Sequence, residues 1–188
     1  MDQPPLKRHS RHLIRLLKRH LHHPRTGAEV GVWRGRNSAA LLAAFPDLTL
    51  TMVDAWSADG WEGDNRLGGL PQAEFDDARR EAIEVTEFAA DRRIIRPGWS
   101  HRVAEFVPDD SMDFVFIDAD HRYEAVRADI AAWRPRVRRG GILCGHDYFS
   151  PRNAKGQWGV KRAVDEWAAE SGIVVEFAET VWVARMPG

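Results

Sequence analysis

Apolar residues in this 188-residue chain fall into two alternating patterns. Short runs rich in β-branched and aromatic residues occupy 26–32, 48–53, 93–95, Met112–Ile117 and 142–145, as strands buried on both faces of a parallel sheet do. Between them apolar residues recur at helical spacing. Leu13, Ile14, Leu16, Leu17 and Leu21 do so over residues 6–23, and Tyr123, Val126, Ile130 and Trp133 form one stripe over Tyr123–Trp133. Further helices are predicted over 37–45, with Asn37 or Ser38 as N-cap, and over 75–90 and 160–169. Strands alternating with helices predict an α/β fold with a doubly wound, mostly parallel sheet. The runs 173–177 and Val181–Arg185, joined by a tight turn, predict a C-terminal antiparallel strand pair. Gly140-Gly141 predicts a break before the strand at 142–145.

Length and a hydrophobic content of 44% predict one domain with a full core. Residues 1–25 form a basic N-terminal helix ended by Pro24, and residues 26–188 form the α/β core. The helix carries Lys7, Arg8, Arg11, Arg15, Lys18 and Arg19 with five histidines, but no bulky aromatic on its apolar face and no interleaved stacking residue. With a net charge of −1, neither nucleic acid nor membrane is an expected partner. The apolar stripe suits packing within the chain and a homodimer interface equally. Cys144, in an apolar run, predicts a buried reduced thiol. With no long apolar span and no signal-like start, a cytoplasmic location is expected.

Chemistry concentrates where strands should end. In Ser111-Met-Asp-Phe-Val-Phe-Ile-Asp-Ala-Asp-His121, the buried run gives way to Asp118, Asp120 and His121 within four residues. Ligands of open parallel sheets bind outside the carboxyl ends of the strands, so this is a site expectation; two acids exceed what capping the next helix needs. His146-Asp147-Tyr148 follows the strand at 142–145 and arrives at the same edge. The first strand leads into Glu29-Val-Gly31-Val-Trp-Arg-Gly35, and the second ends in Asp54, 19 residues after Gly35. A glycine-bearing turn followed by an acid on the next strand suits a nucleoside, whose ribose hydroxyls the acid accepts. The second close-spaced glycine of a dinucleotide turn is missing, and an acid at position 29 repels a pyrophosphate yet suits the ammonium and sulfonium charges of S-adenosylmethionine. A nicotinamide oxidoreductase is therefore disfavoured. The loop 57–71, with Trp61, Asp64 and Asn65, reads as a lid or substrate loop, and it and 148–158 carry no motif that names an acceptor. Of eight tryptophans, Trp133, Trp167 and Trp182 sit in periodic positions and are expected in the core, whereas Trp33, Trp56, Trp61, Trp99 and Trp158 lie in loops at the carboxyl edge.

These motifs, with Phe116-Ile-Asp-Ala-Asp-His-Arg-Tyr-Glu124, Gly145-His-Asp-Tyr148 and Gly159-Val-Lys-Arg-Ala-Val-Asp165, resemble the class I S-adenosylmethionine-dependent methyltransferases. Within that class the chain is similar to the small metal-dependent O-methyltransferases of macrolide-sugar and cephalosporin tailoring, and more distantly to catechol O-methyltransferase. The resemblance covers residues 26–170. It implies a single Rossmann-like methyltransferase domain over 1–188, transferring a methyl group to a hydroxyl of a small sugar or secondary metabolite. It implies that Glu29, Gly31 and Gly35 border the methionine part of the cofactor, that Asp54 holds the ribose, that Trp99-Ser100 lies near the adenine, and that Asp118 meets both cofactor and metal. Asp118, His146 and Asp147 match the ligands of a divalent metal, Mg²⁺ or Mn²⁺. Several relatives carry a carboxylate where this chain has His146; either an imidazole there moves preference toward Mn²⁺, Fe²⁺ or Zn²⁺, or His146 does not ligate at all. His121, three residues past Asp118, matches the general base. A catalytically silent nucleoside-binding module is the competing reading; joint retention of Asp118, His121 and Asp147 argues against it.

Overall fold

The computed structural model describes residues 8–60 and 67–188. Lys7, Trp61, Asp64 and Asn65, and with them the centre of the expected lid, lie outside the described residues. Seven strands form one sheet: β1 (Thr26–Val30), β2 (Thr49–Asp54), β3 (Arg93–Pro97), β4 (Met112–Ile117), β5 (Val137–Gly145), β6 (Val175–Ala178) and β7 (Val181–Arg185). Their order is β3-β2-β1-β4-β5-β7-β6. The first five run parallel, and β7 lies antiparallel to both β5 and β6. The chain reverses direction along the sheet between β1 and β4, a switch point at which a crevice opens beyond the strand ends.

Period-two alternation divides the core between the sheet's faces. Phe114 and Phe116 of β4 pack with Leu41 of α2 (Arg36–Ala44), Phe75 of α3 (Gln72–Val85) and the N-terminal helix α1 (Arg8–Leu21). Val115 and Ile117 face the other way, toward Val103 of α4 (Ser100–Ala104), Ile130 of α5 (Tyr123–Trp133) and Val164 of α7 (Val160–Ser171). The apolar stripe of α1 is buried within the chain: Leu13 and Leu17 are almost fully covered, each contributing about 1.5–3 kcal/mol from burial. Trp133, Trp167 and Trp182 are core residues as expected, and Cys144 is buried. Asp113, the one acid in the β4 run, accepts hydrogen bonds from the Arg25 and Thr26 amides and from Arg138, tying β4 to the start of β1 and to β5. Burial opposes its charge, but these donors hold its carboxyl below the usual range.

Two expectations are corrected. Gly140-Gly141 does not break the chain; β5 begins at Val137, and the glycines sit in a register shift where Met112 pairs with Val137 but Phe114 with Ile142. Such a bulge uses Gly140 at φ +70°. Neither Asn37 nor Ser38 caps α2, whose N-cap is Gly35. The segment 148–158 contains a short helix, α6 (Pro151–Ala154).

Candidate active site

The carboxyl edge is assembled by backbone hydrogen bonds between neighbouring strand ends. The amide of Asp118 donates to Val30, that of Gly31 to Val53, that of Gly98 to Asp54, and that of His146 to Ile117. In chain-crossing order the residues past the strand tips are therefore Trp99-Ser100 (β3), Asp54 (β2), Gly31 (β1), Asp118 (β4) and His146-Asp147 (β5). Gly31 must be glycine. Its φ is +93°, and a Cβ there meets the Asp118 carbonyl oxygen at 2.1 Å.

A cavity of about 620 Å³ opens along this row, lined by Gly31, Asp54, Trp99, Ser100 and Asp118, among others. That size suits a nucleoside-bearing ligand. Glu29 and Gly35 do not line it. The Glu29 carboxylate, on β1, points into the first turn of α2, where it accepts from Asn37 Nδ2 at 3.0 Å and from the Ser38 hydroxyl. Burial without a cation pushes its carboxyl up to about 8, although both donors work the other way. Gly35 backs onto Ala82 of α3. Asp54 Oδ2 accepts from the amides of Val32 (2.9 Å) and Trp33 (2.7 Å), and Oδ1 from that of Trp56 (2.9 Å). Burial raises its pKa and the three amides oppose the rise. This one carboxylate clamps the turns after β1 and β2, with Trp33 and Trp56 both at positive φ. Trp56 is buried rather than framing the cavity, its indole N–H donating to the Trp33 carbonyl at 2.9 Å. Asp120 binds Arg122 through the backbone amide and the guanidinium.

Beside the cavity two acids and two histidines face one another. His121 Nε2 stands 3.0 Å from Asp147 Oδ2 and 3.6 Å from Asp118 Oδ1. His146 Nδ1 stands 3.1 Å from Asp147 Oδ2 and 3.5 Å from Asp118 Oδ1. Its Nε2 lies 2.7 Å from the Thr180 hydroxyl. Burial works against charge on both rings, yet the carboxylates carry His121 up to about 9 and His146 up to about 10. Burial likewise opposes charge on Asp118 and Asp147, and the imidazoles hold both below the usual carboxylate range. Asp147 adopts φ +61°, uncommon for a residue with a side chain, and the Asn153 amide holds its carbonyl at 2.8 Å. The amide of Gly159, from the Gly-Val-Lys-Arg stretch, donates to the His121 carbonyl and joins the start of α7 to the site.

This set fits a divalent ion. One atom each from Asp118, His121 and Asp147 lie within 4.8 Å of one another, and His121 Nε2 is buried without a hydrogen-bonded partner. Contacts at 3.0 Å that lack hydrogen-bond alignment are what convergent ligand atoms make. Two carboxylates with imidazole suit Mn²⁺, Fe²⁺ or Zn²⁺ better than Mg²⁺.

Residues 28–148, well over half of the chain, match the model of a methyltransferase domain family. The chain belongs to that methyltransferase family. Its strand order and C-terminal antiparallel pair are those of the class I S-adenosylmethionine-dependent fold, as in solved relatives. The Bacillus cereus O-methyltransferase, in complex with S-adenosylhomocysteine, is 18% identical with a TM-score of 0.68, over 98% of this chain and 82% of that one. The O-methyltransferase TomG of Streptomyces achromogenes, involved in tomaymycin synthesis and solved with S-adenosylmethionine, is 18% identical with a TM-score of 0.64, over 94% and 78%. The O-methyltransferase NovP is 23% identical with a TM-score of 0.64, over 95% and 80%. A curated relative, the uncharacterized protein y4gI of Sinorhizobium fredii, is 22% identical over 139 residues; the match covers 74% of this chain but only 15% of that protein. Among the described residues no helix of the methyltransferase is long and apolar enough to cross a membrane.

The sequence reading did not give His121 a place among metal ligands, and it missed Asp129. His121 stands among the convergent ligand atoms as well as at the position expected of a base. Asp129 of α5 lines the cavity, although in sequence it reads as one more polar helix position.

Proposed function

We propose that this methyltransferase transfers the methyl group of S-adenosylmethionine to a hydroxyl oxygen of a small molecule, a sugar or secondary metabolite, with help from a divalent ion. The single observation that carries this is the adjacency of a nucleoside-sized cavity and the Asp118, His121, His146, Asp147 cluster, which share Asp118. The cavity receives the donor, with Asp54 at the ribose and Gly31 beside the methionine part. Asp118 and Asp147 would hold the ion with His146 Nδ1, and Thr180, 2.7 Å from Nε2, would accept from Nε2–H in the tautomer that leaves Nδ1 free. When bound, the ion supplies a Lewis acid that makes a substrate hydroxyl more acidic and orients it.

His121, whose buried Nε2 faces Asp118 and Asp147, is then the base. It takes the hydroxyl proton as the oxygen–methyl bond forms and the sulfur–methyl bond breaks, releasing S-adenosylhomocysteine. The acceptor enters between Trp158, stacked on His121, and the exposed rings of Phe149 and Phe177, which pack on Tyr148. Apolar walls around a polar centre suit a small molecule and exclude water from the reacting atoms.

The test pairs S-adenosylhomocysteine release, over a panel of hydroxylated acceptors, with Mn²⁺ binding followed by electron paramagnetic resonance. His121→Ala should lower turnover by about 10²–10⁴-fold, the range of general-base catalysis, and keep Mn²⁺. Asp147→Asn should lose both. A second reading, in which His121 ligates the ion in place of His146, is favoured by the three-atom convergence; it requires His121→Ala to release Mn²⁺ as well.

A further inference from the structure

Asp129 has a chemistry the proposed reaction does not use. It is only 6% exposed, yet it lines the cavity. It sits on α5 against α4, beside the Ser100 hydroxyl, which accepts the Trp133 indole N–H at 2.8 Å. Among the described residues no cation pairs with it. Burying a carboxyl this deeply costs free energy unless something donates to it, and Ser100 is a single neighbouring hydroxyl where a carboxyl has room for several donors. Burial raises its pKa to about 7, the mark of an incompletely satisfied acid.

Its place along the carboxyl edge decides what the missing donor is. Ser100 follows β3, whereas Asp118 follows β4, three strands away in the order β3-β2-β1-β4. Three spacings of about 4.8 Å separate the two ends by about 14 Å. A donor molecule whose sulfonium lies at Asp118 and whose ribose lies at Asp54 therefore carries its purine to Ser100 and Trp99. There the indole of Trp99, 39% exposed, offers a stacking face.

We propose that Asp129 is the specificity residue for the purine, accepting a hydrogen bond from the exocyclic 6-amino group of the adenine beside Ser100. This inference rests on the cofactor reading above. A purine with an acceptor or nothing at C6 leaves the Asp129 acceptor unmet, which disfavours guanosine- and inosine-type ligands.

The experiment is a double-mutant cycle in the whole protein. S-adenosylhomocysteine and its analogue lacking the 6-amino group are titrated calorimetrically into wild type, Asp129→Ala, Asp129→Asn and the near-isosteric Asp129→Leu, which keeps α5 packed should alanine unfold it. In wild type, loss of the amine should weaken binding about tenfold or more. In the alanine and leucine variants the two ligands should bind within about threefold of each other, and asparagine, which keeps an acceptor, should restore discrimination. A purely structural Asp129 would shift Tm and leave the wild-type ratio intact, which would overturn the proposal. Wild type that binds S-adenosylhomocysteine but does not discriminate overturns it as well. Wild type that binds neither ligand removes the cofactor reading itself.

Discussion

The Trp158 indole lies flat on the His121 imidazole, ring centroids 4.0 Å apart and planes 14° from parallel. Arg152 covers the same indole, its guanidinium carbon 5.1 Å from the ring centroid. Stacking fixes the plane of the imidazole and therefore the direction of Nε2. Trp158→Ala should lower kcat by about tenfold through misorientation, and leave S-adenosylhomocysteine affinity within about twofold. Equal losses in both would mean that Trp158 supports the cavity rather than the base.

Gly31→Ala tests the junction of cavity and cluster. The new methyl group meets the Asp118 carbonyl at 2.1 Å, and φ +93° is strained for alanine. Strain alone costs about 1–3 kcal/mol. The larger effect is displacement of Asp118, so S-adenosylhomocysteine and Mn²⁺ binding should fall together. Loss of one with full retention of the other would show that the two sites do not share this hinge.

Glu29 makes stability depend on pH. Its carboxyl stands at about 8 in the folded chain against an ordinary 4.5. Between those values the unfolded chain has released a proton that the folded chain keeps. The stabilisation is therefore complete below pH 4.5 and is lost as pH rises through 8, at up to about 1.4 kcal/mol per pH unit. Glu29→Gln keeps partners for Asn37 and Ser38 and removes the titration. Its Tm should match wild type near pH 5 and exceed it near pH 8; parallel pH profiles would contradict the assignment.

The parts of this architecture legible in sequence are those governed by local pattern. Met112–Ile117 and Tyr123–Trp133 match their predicted bounds because a β-branched and aromatic run broken only by Asp113 and a clean 3.6-residue stripe leave no competing period. The start of β5 was hidden because a glycine pair punctuates a loop and a bulge alike. The helix α4 carries His101 and Arg102 over five residues, too short to establish a period. Asp118, His121, His146 and Asp147 were legible as candidates because they cluster just past apolar strands, and the structure brings them together. The direction of Glu29 was not legible. An acid beside the first glycine turn can face the cavity or the helix, and only the Asn37 and Ser38 partners eight and nine residues on decide it. Asp129 was hidden for a related reason: its neighbour Ser100 follows a different strand, and no spacing along the chain announces that contact.

Calorimetric titration of S-adenosylhomocysteine into the metal-free protein, repeated with Mn²⁺ and with Asp54→Ala, tests the central claim most directly. The account predicts one site per chain in wild type, and loss of binding in the variant because three backbone amides lose their acceptor and both cofactor turns open. No binding of S-adenosylhomocysteine to wild type, with or without the ion, would contradict it.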